Sequence, residues 1–328
     1  MMKRTLSLIV FIAAFISLYF QSPYASQLMW DKSLTSVPCA SSANFYQFSP
    51  VPNPASPEDP SHSLKPLVPR PPLYGIPAKT LPRGHWIFRG YAVFPHYNKM
   101  FDRPSDSMVG LSEGTSFISD SYTLKIRYGI LNRLTAIVNV PYVHRRLSTP
   151  KVEKTGDGLG DVIGALLYRF YRDRGRRFIV SGLLFTKYPT GISSGLSPTQ
   201  LALGTGSFDA GLAILPEWEF GRWDMRWSAF YIVRGRDEQQ VDLGDVVSAS
   251  WSTAYNFTRD LIVEGTFLYK QVSRDDANPR FHLLQFIPAA QYRLARTLLI
   301  QLVVPVTIDS KAKFSADHEI WLGGYYML

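Results

Sequence analysis

Six histidines and one cysteine are the residues of this 328-residue chain best suited to metal or nucleophilic chemistry. Their spacing argues against both. A structural zinc site gathers four Cys or His ligands in close pairs, whereas these histidines are dispersed and Cys39 stands alone. An acyl-transfer site needs a nucleophile beside a base that a third group orients. The available pieces are His144 with Ser148, or His282 and His318. None lies in a nucleophile motif, and the spacing supplies no Asp or Asn partner. The expectation is no catalytic residue, no metal and no cofactor.

The residues that do recur with a spacing are polar ones set at every second position. Tyr122, Leu124, Ile126, Tyr128 and Ile130 alternate with Thr123, Lys125, Arg127 and Gly129. Trp223, Met225, Trp227, Ala229, Tyr231 and Val233 alternate with Asp224, Arg226 and Ser228. A period of two places the two sets on opposite faces of a strand. With the apolar set facing lipid, the inward set is Lys125, Arg127, Asn139, Arg169, Glu217, Glu219, Arg222, Asp224, Arg226, Glu264, Lys270, Gln291, Arg293 and Gln301. Such a set either braces a narrow interior or screens solutes by charge. Unpaired burial is costly, so a charge network is expected in both cases. Its densest part is Glu217, Glu219 and Asp224 beside Arg222 and Arg226.

The elements that must carry these residues are strands. Twelve are read, over 84–95, 118–130, 134–146, 159–171, 177–189, 207–219, 222–234, 244–257, 261–272, 281–293, 297–308 and 316–328. Most have the length of a tilted membrane strand. Their connections alternate: tight at Leu131–Arg133, Arg172–Arg176, Phe220–Gly221, Thr258–Asp260 and Ala295–Arg296, and longer elsewhere. That order fits a barrel with short periplasmic turns, long outer loops and both mature termini periplasmic. Trp218, Trp223, Tyr269 and Tyr292 near strand ends fit interfacial girdles. Without water an open sheet edge costs several kcal/mol per group, so the last strand is expected to pair with the first. The fold class is therefore all-β, an antiparallel up-and-down transmembrane β-barrel of twelve strands over 84–328. Gly323, Tyr326 and Leu328 resemble the C-terminal signal that outer-membrane barrels present to their assembly machinery.

Composition agrees. Aromatic residues are 14% of the chain, hydrophobic residues 46%, and mean hydropathy is −0.04, a mix suited to strands with one face in lipid and one in water. After residue 21 no apolar run is long enough for a transmembrane helix. The formal charge is +9, but its Lys and Arg form no stripe, which argues against nucleic acid. Residues 1–26 read as a signal peptide: Lys3 and Arg4, an apolar run to Phe20, then Tyr24-Ala25-Ser26. Residues 27–83 hold 12 of the chain's 23 prolines. Proline breaks ladders and helices, so this stretch reads as a flexible periplasmic segment or as a partial plug of the lumen, the tail being the plainer reading. Cys39 lacks the Leu and small residue that precede a lipid-attachment site.

Three glycine-rich motifs remain. Gly156-Asp157-Gly158-Leu159-Gly160-Asp161-Val162 opens the fourth strand, Lys187-Tyr188-Pro189-Thr190-Gly191 closes the fifth, and Leu203-Gly204-Thr205-Gly206-Ser207-Phe208-Asp209 opens the sixth. No helix follows either glycine run, so they do not cradle phosphate. Read from the residues, Gly158, Gly160, Gly191, Gly204 and Gly206 serve bends where strands meet loops, with Pro189 and Thr190 beside them. Asp161 and Asp209 bond loop backbone. The set resembles the outer-membrane transporter-like family named for the meta-pathway of phenol degradation. The resemblance implies a barrel that admits small solutes, aromatic or hydrophobic ones among the candidates. The partners expected are such a solute, outer-membrane lipid and lipopolysaccharide, and the barrel-assembly machinery. A structural or surface-interaction barrel without transport is the alternative, and an outer-membrane lipid hydrolase a further one.

Overall fold

The structure is a computed structural model that describes residues 77–328, apart from 103, 104, 174, 176, 274–279 and 296. The signal segment, Cys39 and most of the proline-rich stretch lie outside the described residues. Fifteen strands run in chain order. They are β1 (Trp86–Asp102), β2 (Ser107–Gly110), β3 (Ser116–Leu131), β4 (Leu134–Ser148), β5 (Glu153–Leu159), β6 (Val162–Arg172), β7 (Phe178–Tyr188) and β8 (Asp209–Phe220). They continue with β9 (Trp223–Arg234), β10 (Val246–Asn256), β11 (Leu261–Val272), β12 (Phe281–Ala295), β13 (Leu298–Val303), β14 (Val306–Lys311) and β15 (Phe314–Met327). Neighbours pair antiparallel, and β1 also pairs β15, from Ile87 opposite Met327 to Met100 opposite Phe314. The sheet is closed, which leaves no edge to hydrate.

These fifteen strands make twelve staves. β2 and β5 are extensions that pair only at the long-loop end, with β1 and β4. β13 and β14 are one stave broken at Val304-Pro305. Pro305 cannot donate to a ladder, and Pro288 stands opposite in β12, where Val304 N donates to Pro288 O at 3.0 Å. Beyond the break, β14 and β15 share a single registered pair, Val306 with His318.

Alternation sets the two faces. Leu212, Ile214 and Trp218 of β8 point out and are about half exposed, while Ala213, Leu215 and Glu217 point in and are buried. The outer face is apolar along its length, as a lipid-facing surface must be. At the short-turn end it carries ring pairs, Trp86 with Tyr128 at 4.3 Å and Trp223 with Tyr255 at 4.7 Å. Amphipathic rings belong at that depth of a bilayer.

The inner face is divided. On the β4–β8 side it is apolar, with Ile137, Ile163, Leu167, Ile179, Leu183, Phe185 and Leu215 in one buried cluster. Alternation alone does not expose this side, because a strand such as β7, Phe-Ile-Val-Ser-Gly-Leu-Leu-Phe, is apolar on both faces. Opposite, β1, β3 and β11 bring charged groups inward.

Candidate functional site in the lumen

Lys125, Arg127, Asn139, Glu217, Arg226, Glu264, Gln291 and Gln301 are buried on the inner wall. Lys125 pairs in register with Arg89, a further inward cation absent from the expected set. The Arg89 guanidinium lies between two rings, 4.5 Å from the centre of Tyr91 and 4.8 Å from that of Tyr325, and donates to Gln301 at 3.1 Å. Arg226 meets Glu264 at 2.6 Å, and Thr266 donates to the other carboxylate oxygen at 3.1 Å. Arg226 therefore reaches across β10, although Glu217 is its registered neighbour on β8. Four others lie toward the short turns. Arg169 donates to Asn132 O, Arg293 approaches Asp260 at 3.9 Å, Asp224 accepts from Asn256, and Arg222 sits in the exposed turn after Gly221. Lys270 lies at the other end, partly exposed.

Glu217 has a different partner, from outside the barrel wall. The chain before β1 enters the short-turn end of the lumen, and Ala78, Lys79, Thr80 and Leu81 are each less than 5% exposed. Lys79 Nζ is 2.7 Å from Glu217 and also contacts Glu219. Ala78 N donates to Glu217 at 3.1 Å, Ser181 Oγ donates to Ala78 O, and Leu81 N donates to Thr135 Oγ1 at 2.7 Å. Leu81 packs with Ile87, Leu299 and Tyr325. The segment so crosses from β1 and β4 to β7 and β8. Burial works against the lysine's charge, but the carboxylates of Glu217, Glu219 and Asp224 outweigh it and hold Lys79 above the usual lysine range. Gly129 permits the entry: a Cβ there would lie 1.9 Å from Pro82 O. Of the proline-rich stretch 27–83, residues 77–83 are described: 77–81 are buried in the lumen, Pro82 is part-buried and Arg83 is exposed.

At the long-loop end the three glycine motifs converge on one buried knot. Asp161 is 1% exposed and accepts from Gly191 N at 3.2 Å, Thr205 N at 2.9 Å and Thr205 Oγ1 at 3.0 Å. Lys187 bridges Asp161 at 3.2 Å and Asp209 at 3.0 Å, and contacts Thr205 and Ser207. Arg234 adds a second cation 3.6 Å from Asp209. Thr190 Oγ1 donates to Gly160 O and accepts from Val162 N. Gly158 and Gly206 have positive φ, but Gly204 is needed for proximity: a Cβ there would fall 2.2 Å from Asp161 Oδ1. Lys187 opens the second motif, but its place at the centre of the knot, and the membership of Arg234, emerge only from contact across β7, β8 and β9. The knot folds loop 190–208 inward. Leu201 packs on Phe117, Leu147 and Phe314, all inward residues, and Arg145 donates to Ala202 O at 2.5 Å.

The candidate catalytic pieces stay apart. His144 does find a carboxylate, Asp157 on β5, which spacing did not reveal. Ser148 lies four positions further along β4, roughly 13 Å away at strand rise. His282 pairs Asp309, and His318 stacks on His96 with ring centres 5.1 Å apart. Gly323 of the C-terminal segment pairs Tyr91, while Tyr326 pairs Phe88 and Leu328 exchanges backbone bonds with Trp86.

A closed twelve-stave barrel with a lipid-facing exterior is an outer-membrane-type barrel. Residues 101–308 match the family described as "Putative MetA-pathway of phenol degradation", more than half of the chain, and the protein belongs to that family. Its fold is similar to the COG4313 outer membrane channel from Pseudomonas putida F1, with TM-score 0.65 and 13% identity over 76% of this chain and 98% of that one. The NanC porin covers 74% of this chain and 100% of its own, with 11% identity and TM-score 0.46. The CymD monoaromatic hydrocarbon channel covers 75% of this chain and 88% of its own, with 10% identity and TM-score 0.43. No curated protein matches the sequence.

Proposed function

We propose that the protein is a selective outer-membrane channel for small, partly apolar solutes, held closed at rest by its own chain. The observation that carries this reading is the lumen itself: an apolar inner wall faces a charged one, and each end is covered by a folded segment. Residues 77–82 are the inner cover, tethered by Lys79. Loop 190–208 is the outer cover, tied by Lys187. A solute with an apolar body and a polar group would slide between the two walls once a cover moves.

In this reading residues 1–26 direct export, the short-turn end and both mature termini face the periplasm, and lipid and lipopolysaccharide surround the outer face. The Gly323, Tyr326 and Leu328 segment serves assembly. No catalytic role is assigned to His144, whose ring is taken up by Asp157 while Ser148 lies roughly 13 Å further along β4. The densely packed interior favours a second reading, a barrel that never opens. Flux into liposomes separates the two. Uptake of small solutes above that of empty liposomes supports the channel; none, even after both tethers are removed, supports the sealed barrel.

A further inference from the structure

Near the long-loop end a cavity of about 90 Å³ opens between β1, β11, β12, β14 and β15. It lies outside both tethers. Tyr97, Phe281 and Phe314 form its apolar side, and Lys270, Gln285 and Glu319 its polar side. Each wall ring is backed by another. Phe314 stacks on Phe117 at 4.5 Å, Tyr97 tilts on Phe117 at 4.8 Å, and Phe281 meets the edge of Phe101 at 5.7 Å. Rings fixed in this way form a pre-organised slot.

The polar side is differently built. Gln285 Nε2 reaches Thr307 Oγ1 and Glu319 Oε1 only at 3.5 Å, the limit of a hydrogen bond. Glu319 Oε2 is engaged by the indole of Trp321 at 2.7 Å, which fixes the carboxylate and leaves Oε1 facing Gln285. A donor-acceptor group placed there would replace two long contacts by two normal ones. A hydroxyl does both: it donates to Glu319 and accepts from Gln285 or Lys270. At about 90 Å³ the cavity is smaller than the roughly 150 Å³ that encloses benzene, but it is open on one side, so a single six-membered ring is the most it seats. A carboxylate ligand would meet Glu319 as well as Lys270 and has no proton to donate to Glu319, so it fits the pair less well than a hydroxyl.

We infer that this cavity is a binding subsite for a neutral, single-ring solute bearing one hydroxyl. Phe314 also packs against Leu201 of the inward loop, so the subsite is the first stop on the way in from the long-loop mouth. The inference rests on the channel reading for that role, and on the cavity alone for binding.

The test uses the folded full-length protein in detergent micelles, titrated calorimetrically with benzyl alcohol, toluene and benzoate, with empty micelles as reference. Saturable binding of benzyl alcohol, about tenfold tighter than toluene and tighter than benzoate, is expected. Gln285→Leu should erase the preference for the alcohol while toluene still binds. Ala316→Phe should fill the cavity and abolish both, with unboiled gel mobility unchanged. Partition equal to that of empty micelles, or the same binding in Gln285→Leu and wild type, would overturn the subsite. Liposome flux of a small sugar is measured in parallel on a variant lacking both tethers, Lys79→Glu with Lys187→Met. Flux in that variant without saturable binding to the wild type removes the subsite and leaves the channel; saturable binding with no flux in that variant supports the subsite and removes the channel.

Discussion

Lys79 and Glu217 lie 2.7 Å apart, each nearly fully buried, although one precedes the barrel and the other is deep in β8. This contact ties the chain before β1 across the lumen. Severing a buried pair costs about 3–5 kcal/mol when the remaining charge is left uncompensated; Glu219 still contacts Lys79, so the cost here is lower, but the Glu217 anchor for both Lys79 and the Ala78 amide is weakened. Glu217→Gln should therefore free the segment while leaving the barrel folded. Hydrogen exchange reads this directly. The Ala78 amide, which bonds Glu217, and the Leu81 amide, which bonds Thr135, should both lose protection. Retained protection at Leu81 would mean that the segment is held without the pair.

The same tether has a defined response to alkali. Its lysine is held above the ordinary value of 10.5. A raised basic group stabilises fully below the unfolded value and loses that contribution as pH climbs through the folded one. On the lysine side, then, exchange protection of Leu81 corrected for intrinsic rates should be flat from about pH 7 to about pH 9. A decline across that window would place the lysine in a less favourable setting.

At the outer cover, Lys187→Met removes the cation between Asp161 and Asp209. Two buried carboxylates then share only Arg234 and neutral donors. The expected loss is about 3–5 kcal/mol, read as a lower temperature for the unboiled-to-boiled mobility shift. An unchanged shift would show that the loop is held by Leu201 and Leu203 alone.

Gly204→Ala probes the same knot sterically, because the new Cβ would collide with Asp161 Oδ1. Overpacking of this kind costs about 1–3 kcal/mol. Loop 190–208 should become more sensitive than the wild-type loop to protease added to intact cells. Equal resistance would argue that Asp161 can move aside.

The strands were largely legible because lipid on one side and a closed interior on the other impose a strict period. The staves at 134–146 and 222–234, for example, differ from β4 and β9 by one or two residues. The break at Pro305 was visible as a proline, yet its effect depends on Pro288 across the ladder. The motifs were legible as loop bases, but their shared centre was not, since Asp161, Lys187 and Asp209 come from three strands. Lys79 was hidden altogether. Its neighbours Pro77, Ala78 and Thr80 show no period, and its role is set by Glu217 far along the chain. Apolar inner positions such as Leu183 and Leu215 were masked by equally apolar outer neighbours.

A conduit closed by its own segment should open when that segment is expelled, and single-channel conductance in planar bilayers reads this in wild-type protein beside Lys79→Glu. A charge reversal places a carboxylate against Glu217 and Glu219 and should expel residues 77–82 from the lumen. The wild type should show small or rare conductance, and Lys79→Glu a severalfold larger, persistent one. Two variants that are equally silent, each folded by unboiled gel mobility, would contradict it.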